Sequence, residues 1–358
     1  MRLLDRYIGR ECLKLLCLCV VVFLWAYVVV DLFDKLSQFL EAGAEPTLIV
    51  RYYFLSLPSF LLQVLPVAVL LSSLLTLGGL ARNNELLAMK VGHISTLRIA
   101  LPCLVVGLVA SLTAWLTAEY VVPRTSDQVL NIWRTQVSRL PPHSLTRESD
   151  IWYRAEGNRF VHISLIDPSS GLIRGMSIFD LAPDFDLLRR VDARVAVWGK
   201  EAWTLREGYR LELAQIPARI DSFDEMGVAL EERPEDFARV ARAPEEMTYA
   251  ELREYIERLA RSGVSVTRYR VDLEAKVAIA LASLVMALIG VSFGLRTGKA
   301  GMMVWVGACI PTGLLYWLIL GYGFQFGRAG VLPPLVAAWL PNLVFGAGGL
   351  LSFWRLRG

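Results

Sequence analysis

The chain has 358 residues, 55% of them hydrophobic, with a mean hydropathy of +0.46 and a formal net charge of +3. Apolar residues at this density, gathered in long runs between charged stretches, exclude an ordinary soluble domain and mark a chain built for a membrane. The small net charge and the lack of a dense Lys/Arg run exclude a nucleic-acid binder working through a basic face.

About 20 mostly apolar residues in a helix cross the hydrocarbon core. Six stretches qualify, at 13–33, 55–80, 97–122, 276–295, 302–324 and 332–353. Pro66, Pro102, Pro311 and Pro341 fall inside them; membrane helices tolerate proline because neighbouring groups re-satisfy the backbone. The first stretch has basic residues before it and Ala42-Gly43-Ala44 after it. Its run is longer than a secretory h-region and the small residues sit too far beyond it, so it reads as an uncleaved anchor. Lys and Arg in short loops mark the cytoplasmic side. Arg2, Arg6, Arg10, Lys14, Arg82, Lys90, Arg98, Arg296, Lys299, Arg355 and Arg357 all fall on one side, against Lys35, Arg51 and Arg328 on the other. The expected topology has both termini in the cytoplasm and the long segment after the third span outside it. Trp115, Trp305, Trp317, Trp339 and Trp354 lie in or near spans, and those near ends read as interfacial anchors.

From 123 to about 270 charged residues become frequent and period-two patterns appear. Ile151-Trp152-Tyr153, a turn at Glu156-Gly157-Asn158 and the run 159–163 read as paired strands. Further strands are expected at 172–181 and 187–198, and two more at 202–206 and 209–213 around a Glu207-Gly208 hairpin turn. Short strands at regular spacing predict an antiparallel sandwich or open roll. A helix at 126–137 should continue outward from the third span. Thr248-Tyr249-Ala250-Glu251 fits a capping box. It opens a helix at 249–262 with Leu252, Tyr255, Ile256 and Leu259 on one face and Gly263 as its stop. The expected architecture is an α-helical membrane protein with three spans in 1–122, an inserted β domain in 123–270 and three spans in 271–358.

Catalytic signatures are absent from the sequence. Cys12, Cys17, Cys19, Cys103 and Cys309 all lie in or beside apolar runs, with neither a disulfide framework nor zinc spacing. They read as small buried apolar residues. His93, His143 and His162 are scattered, so no metal centre is expected. The run from Gly294 to Ala300 lacks the spacing and hydroxyl of a P-loop, and no nucleophile elbow or His-Glu-x-x-His occurs. Asp31, Glu119 and Lys276 sit near span ends, where water or headgroups can solvate them, whereas a proton relay wants carboxylates at mid-membrane. With no catalytic residue, metal or cofactor expected, active transport by this chain needs a separate ATPase.

The loop 81–92 offers a place for such a partner. Leu86, Met89 and Lys90 follow helical spacing, with Glu85 in the first turn and Gly92 as a stop. Two readings fit: a short helix whose Leu86 and Met89 fill an apolar pocket on a cytosolic subunit while Glu85 and Arg82 pair with charges, or an interfacial turn with solvated charges.

Leu4-Asp5-Arg6-Tyr7-Ile8-Gly9-Arg10 at the start, the loop 81–92, and Ala118-Glu119-Tyr120-Val121-Val122-Pro123 after the third span resemble the LptF/LptG permease family, in order and spacing along the whole chain. Within the family the opening is more similar to the LptG branch than to the LptF branch. The resemblance implies a non-catalytic permease subunit in the bacterial inner membrane, paired as a heterodimer with an LptF-like permease and driven by an LptB-like ATPase dimer. It implies that lipopolysaccharide is withdrawn from the membrane and passed to an LptC-like membrane-anchored protein and a periplasmic bridge. It also implies that the middle domain is a periplasmic β-jellyroll, and that Glu85 matches the acidic residue of the coupling helix that docks on the ATPase. An LptF-like subunit, or a mechanotransmission permease without a lipid path, are the alternative readings.

Such a ligand needs an apolar cavity, which faces of spans one, two and five are placed to line, and basic groups at the outer rim. Lys35 and Arg51 are candidate phosphate ligands, or simply solvated interface charges. Where family members can carry a basic residue at the outer end of span one, this chain has Asp31. Either the contact has moved to Lys35 or the headgroup differs.

Overall fold

The computed structural model describes residues 3–137, 151–155, 158–167, 172–182, 184, 186–199, 202–213, 219–228, 244, 247–261, 266–297 and 302–355. Helix α1 runs over Leu3–Glu41, α2 over Pro46–Arg82, α3 over Glu85–Val91 and α4 over Thr96–Leu116. A π-turn at Thr117–Val121 leads into α5, Val122–Ile132, and a second at Trp133–Val137 ends it. After the strands come α6 (Tyr249–Arg261), α7 (Thr267–Thr297), α8 (Met302–Arg328) and α9 (Pro334–Trp354). Among the described residues six helical stretches are long and apolar enough to cross a membrane: α1, α2, Thr96–Ile132, α7, α8 and α9. All but α9 are longer than the apolar runs predicted for them. The 39 residues of α1 rise about 1.5 Å each, far more than a hydrocarbon core of about 30 Å requires. The polar ends continue the helix beyond the apolar window.

The chain divides into a helical unit, 1–130, 244–253 and 266–358, and a β unit, 131–243 and 254–265. In the helical unit α7 packs against α2, α4 and α9, so the two sets of three helices form one body. Small residues allow the approach, as expected where helices associate without a hydrophobic driving force. A Cβ on Gly290 would meet the Leu70 carbonyl oxygen and Ser73 Cβ at 2.8 Å, and one on Gly107 would overlap Ala287. One core cluster joins Ala68, Val69 and Leu74 of α2 to Met286 of α7 and Tyr316 of α8. The Tyr316 hydroxyl donates to Asn342 Oδ1 at 2.9 Å, and Asn342 Nδ2 donates to the Ala278 carbonyl at 2.7 Å. Trp305, expected as a possible interfacial anchor, is 4% exposed and fills the space over Gly78 instead. Trp354 is 72% exposed and keeps the interfacial character.

The β unit holds six strands: β1 Ile151–Ala155, β2 Arg159–Asp167, β3 Leu172–Leu181, β4 Leu187–Trp198, β5 Trp203–Glu212 and β6 Arg219–Val228. They form one antiparallel sheet in chain order, each strand paired with its sequence neighbours. The expected roll is therefore a meander. Its buried face includes Val161, Ile163, Ile173, Met176, Val191, Ala196 and Trp203. The predicted hairpin at Glu207-Gly208 does not form: β5 runs straight through it, and Glu207 takes a φ of +51° inside the strand. The register explains why. Ser164, Gly175, Arg194, Glu207 and Asp224 lie opposite one another across five strands, and each of these facing pairs is missing from its ladder while the pairs immediately on either side keep one register. This row is a crease. Gly175 takes a φ of +72° there, so Ile173 and Met176 both face the core despite being three apart. Gly263, the predicted stop of α6, and the turn at 156–157 lie outside the described residues.

Candidate functional site

The short helix α3 starts after Asn83-Asn84. Asn84 has a φ of 59°, a left-handed conformation that asparagine accepts more readily than most residues. Its carbonyl accepts the Ala88 amide at 3.0 Å, closing the first turn. Glu85 in that turn and Lys90 in the last complement the helix dipole. The helix ends in a Schellman arrangement: the Ile94 amide donates to the Met89 carbonyl and the His93 amide to the Lys90 carbonyl, both at 3.0 Å. His93, with a φ of 58°, takes the left-handed position expected for Gly92, whose φ is −74°. Ala81 and Arg82 belong to α2, so the helix predicted at 81–92 is the separate segment Glu85–Val91.

The two faces of α3 differ. Leu86 is 5% exposed in a core cluster with Ile8 and Cys12 of α1, Leu77 and Leu80 of α2, Ile99 and Cys103 of α4, and Leu295 of α7. Met89 and Ile94 pack against the same cluster. Burial on this scale contributes about 1.5–3 kcal/mol for a leucine. Leu86 and Met89, expected to fill a partner's pocket, thus serve the chain's own core. Leu87 and Val91 are 59% and 72% exposed and point outward with Arg82 and Lys90, while Glu85 is half-buried. The sequence pattern did not single out Leu87 and Val91, because which face turns inward depends on the seat that α1 and α4 provide. The opening of α1 builds that seat: Ile8 enters the cluster, Asp5 pairs with Arg98 at 3.6 Å, and the Tyr7 hydroxyl faces the Glu85 carboxylate.

At the opposite end of α1 and α2 lies a second polar group. Lys35 Nζ donates to both Asp31 carboxylate oxygens at 2.9 Å and to the Tyr52 hydroxyl at 3.1 Å, and it stands 5.4 Å from the Tyr52 ring centroid. The Tyr53 hydroxyl donates to Asp31 Oδ2 at 3.1 Å. Asp31 is thus the counter-charge of Lys35, one turn away on the same helix. Arg51, which precedes Tyr52 in the chain, is exposed.

Glu119 and Lys276, expected to be solvated, hold the start of α6 instead. Glu119 Oε2 accepts the Tyr249 amide at 2.8 Å, and Lys276 Nζ donates to the Met247 carbonyl at 2.7 Å. The predicted capping box is present: the Thr248 amide donates to Glu251 Oε2 at 2.9 Å and the Glu251 amide to Thr248 Oγ1 at 3.2 Å. Among the described residues no His, Cys, Asp and Glu gather at metal-binding spacing.

Six membrane-length helices divided three and three around an inserted antiparallel sheet, with a rooted short helix between the second and third, define a polytopic membrane permease. The family described as lipopolysaccharide export system permease LptF/LptG matches residues 6–355, and the chain belongs to it. Similar proteins include the lipopolysaccharide export system permease protein LptG of Escherichia coli (strain K12), 25% identical over 364 residues that cover 99% of this chain and 97% of that protein. The protein of the same name from Haemophilus influenzae is 22% identical over 361 residues, with the same coverage.

Proposed function

We propose that this chain is the LptG-type subunit of an ATP-driven transporter that withdraws lipopolysaccharide from the bacterial inner membrane and passes it to a periplasmic bridge. The observation that carries the reading is the division of α3. Its inner face is rooted in the helical core through Leu86 and Met89, its outer face presents Leu87 and Val91, and Glu85 is half-buried. A helix so built transmits force from a cytosolic ATPase dimer into α1, α2, α4 and α7. In this reading the α3 end and both termini are cytoplasmic, the β unit is periplasmic, an LptF-like permease completes a heterodimer, and an LptC-like protein receives the lipid. The names of the similar proteins favour the LptG branch over LptF.

The acyl chains need apolar surface inside the assembly. Only 11% of the apolar window of α1 and 28% of that of α8 is buried, against 67% for α2, so those two helices have the surface to offer. At the outer rim Arg51 is the readier phosphate ligand, since Lys35 is neutralised by Asp31. The edge strands β1 and β6 are suited to strand addition by a partner's sheet.

Purification from native membranes tests the reading at once, by identifying co-purifying protein and bound lipid. An ATPase, a second permease and lipopolysaccharide are expected; an intact, active preparation with no lipid adduct from photo-crosslinkers at positions 35 and 51 would favour a permease without a lipid path. Glu85→Ala, or Leu87→Ala with Val91→Ala, should weaken ATPase association while the spans stay folded. Normal association in both would remove α3 from the docking role.

A further inference from the structure

An apolar groove of about 490 Å³ opens between α4, α7 and α9 at the α3 end of the helical unit. Leu104 of α4, Leu288 of α7 and Leu350 and Leu351 of α9 line it, and Leu97 and Trp354 stand at its edge. Its volume falls within the range of small-molecule sites, about 300–1,000 Å³. Two contacts fix the spacing of its walls. The Ser292 hydroxyl donates to the Gly349 carbonyl at 3.1 Å, and Gly349 has no side chain to keep α9 off Leu288. A lining of leucines offers no hydrogen bond to water, so at membrane depth the natural occupant is a hydrocarbon chain.

Arginines flank the groove. Arg98 follows Leu97, Arg355 follows Trp354, and Arg296 reaches the carbonyl of Ser352, between Leu351 and Phe353, at 3.5 Å. Asp5 compensates Arg98. Among the described residues neither Arg296 nor Arg355 meets a carboxylate. Guanidinium groups bind phosphate oxygens in pairs, and basic pockets between membrane helices on the cytoplasmic side select anionic headgroups. We propose that this groove is a binding site for an anionic phospholipid, one acyl chain lying along Leu104, Leu288 and Leu351 and the phosphate meeting Arg296 and Arg355. The cytoplasmic reading of the α3 end, given above, decides only which leaflet supplies the lipid. Phe353 lines this groove and also belongs to the cluster that seats Leu86 of α3. A bound chain therefore braces the platform from which α3 projects.

Trp354 supplies the probe. The full chain, with whatever subunits co-purify, is placed in phosphatidylcholine nanodiscs containing either brominated phosphatidylglycerol or brominated phosphatidylcholine. The part of the tryptophan quenching that disappears in Trp354→Phe reports the groove. Phosphatidylglycerol should quench that part roughly five- to tenfold more effectively, on the usual strength of basic residues toward anionic lipid, and Arg296→Gln with Arg355→Gln should bring the two lipids level. Equal quenching by both lipids in the unaltered chain would overturn the proposal. So would a preference that survives the arginine substitutions, or one carried entirely by other tryptophans, or a protein segment found seated in the groove. No step uses lipopolysaccharide or ATP, so failure here and failure of the transporter reading are distinguishable.

Discussion

Lys35 shows how one neighbour changes what a residue can do. A lone lysine at the outer end of a span is a ready phosphate ligand, but here Asp31 takes both its charge and two of its hydrogen bonds. Tyr53 donates to the same carboxylate, so removing Asp31 takes the acceptor from Tyr53 and the counter-charge from Lys35 in a partly buried site. Asp31→Ala should lower stability by about 1–3 kcal/mol, the usual cost of unsatisfied charged or polar groups, read as a lower Tm of the purified protein. Asp31→Asn should cost less and leave Lys35 freer for an anion; if neither variant moves the Tm, the cluster does not hold α1 to α2. Asp180 in the β unit is held in the opposite way. Burial alone would raise its pKa, but hydrogen bonds and charge from Arg159 and Arg189 outweigh that and bring it below the ordinary carboxylate value. A depressed folded pKa means stability that is present above the unfolded value, about 3.9 for aspartate, and is lost as pH falls through the folded one. Asp192, half-buried and bound by Arg190 and Ser177, shifts the same way. The β unit should therefore unfold more easily as the medium is acidified below about pH 4. Asp180→Asn should flatten that dependence, and an unchanged acid profile would remove these pairs from the account.

At the scale of elements, the crease across the sheet depends on Gly175. A Cβ there would stand 2.8 Å from Ser164 Oγ, in a backbone conformation that side chains rarely adopt. Gly175→Ala should cost about 1–2 kcal/mol from the left-handed conformation alone, measured by denaturant unfolding of the β unit. The same substitution at Gly227, where a Cβ meets nothing within 4 Å, should cost less; equal effects would mean that the crease bears no load. The crease also marks the limit of reading elements from sequence. Glu207-Gly208 has the composition of a two-residue hairpin turn, and local chemistry alone favours that reading. What overrides it is non-local: β4 and β6 pair with β5 on both sides of Glu207 and keep its two parts in one line. The helices were legible because a twenty-residue apolar run has few alternative fates, and the capping box at Thr248 because both its bonds lie within four residues. The inward face of α3 was not legible. Leu86 and Leu87 are adjacent and chemically identical, and only the positions of Ile8 and Ile99 decide which one is buried.

On the scale of the whole molecule, a chain that leaves the helical unit at residue 130 and re-enters it at 244 must return to the same place. Glu119 and Lys276 solve this return. Glu119 stands on the π-turn at Thr117–Val121, whose widened helix re-aims its side chain, and it accepts the Tyr249 amide. That amide is one of the unsatisfied donors at the start of α6; with the capping box occupying Thr248 and Glu251, the first turn is closed by a carboxylate on each side. Lys276, on α7, holds the preceding carbonyl of Met247. The point of departure and the point of return are thus fastened through one short segment, 247–249, by side chains from either half of the helical unit. This fastening predicts a local effect with little change in the bundle. Glu119→Ala should leave the Tyr249 amide unbonded at about 1–3 kcal/mol, so hydrogen exchange in the first turn of α6 should rise roughly fivefold or more, a tenfold change corresponding to about 1.4 kcal/mol. Glu119→Gln retains an acceptor oxygen and should restore much of the protection. Exchange in α2 and α7, where burial is greatest, should not change. If α6 is protected equally in all three proteins, the carboxylate is solvated as its position near a span end suggests, and the return is held by packing alone.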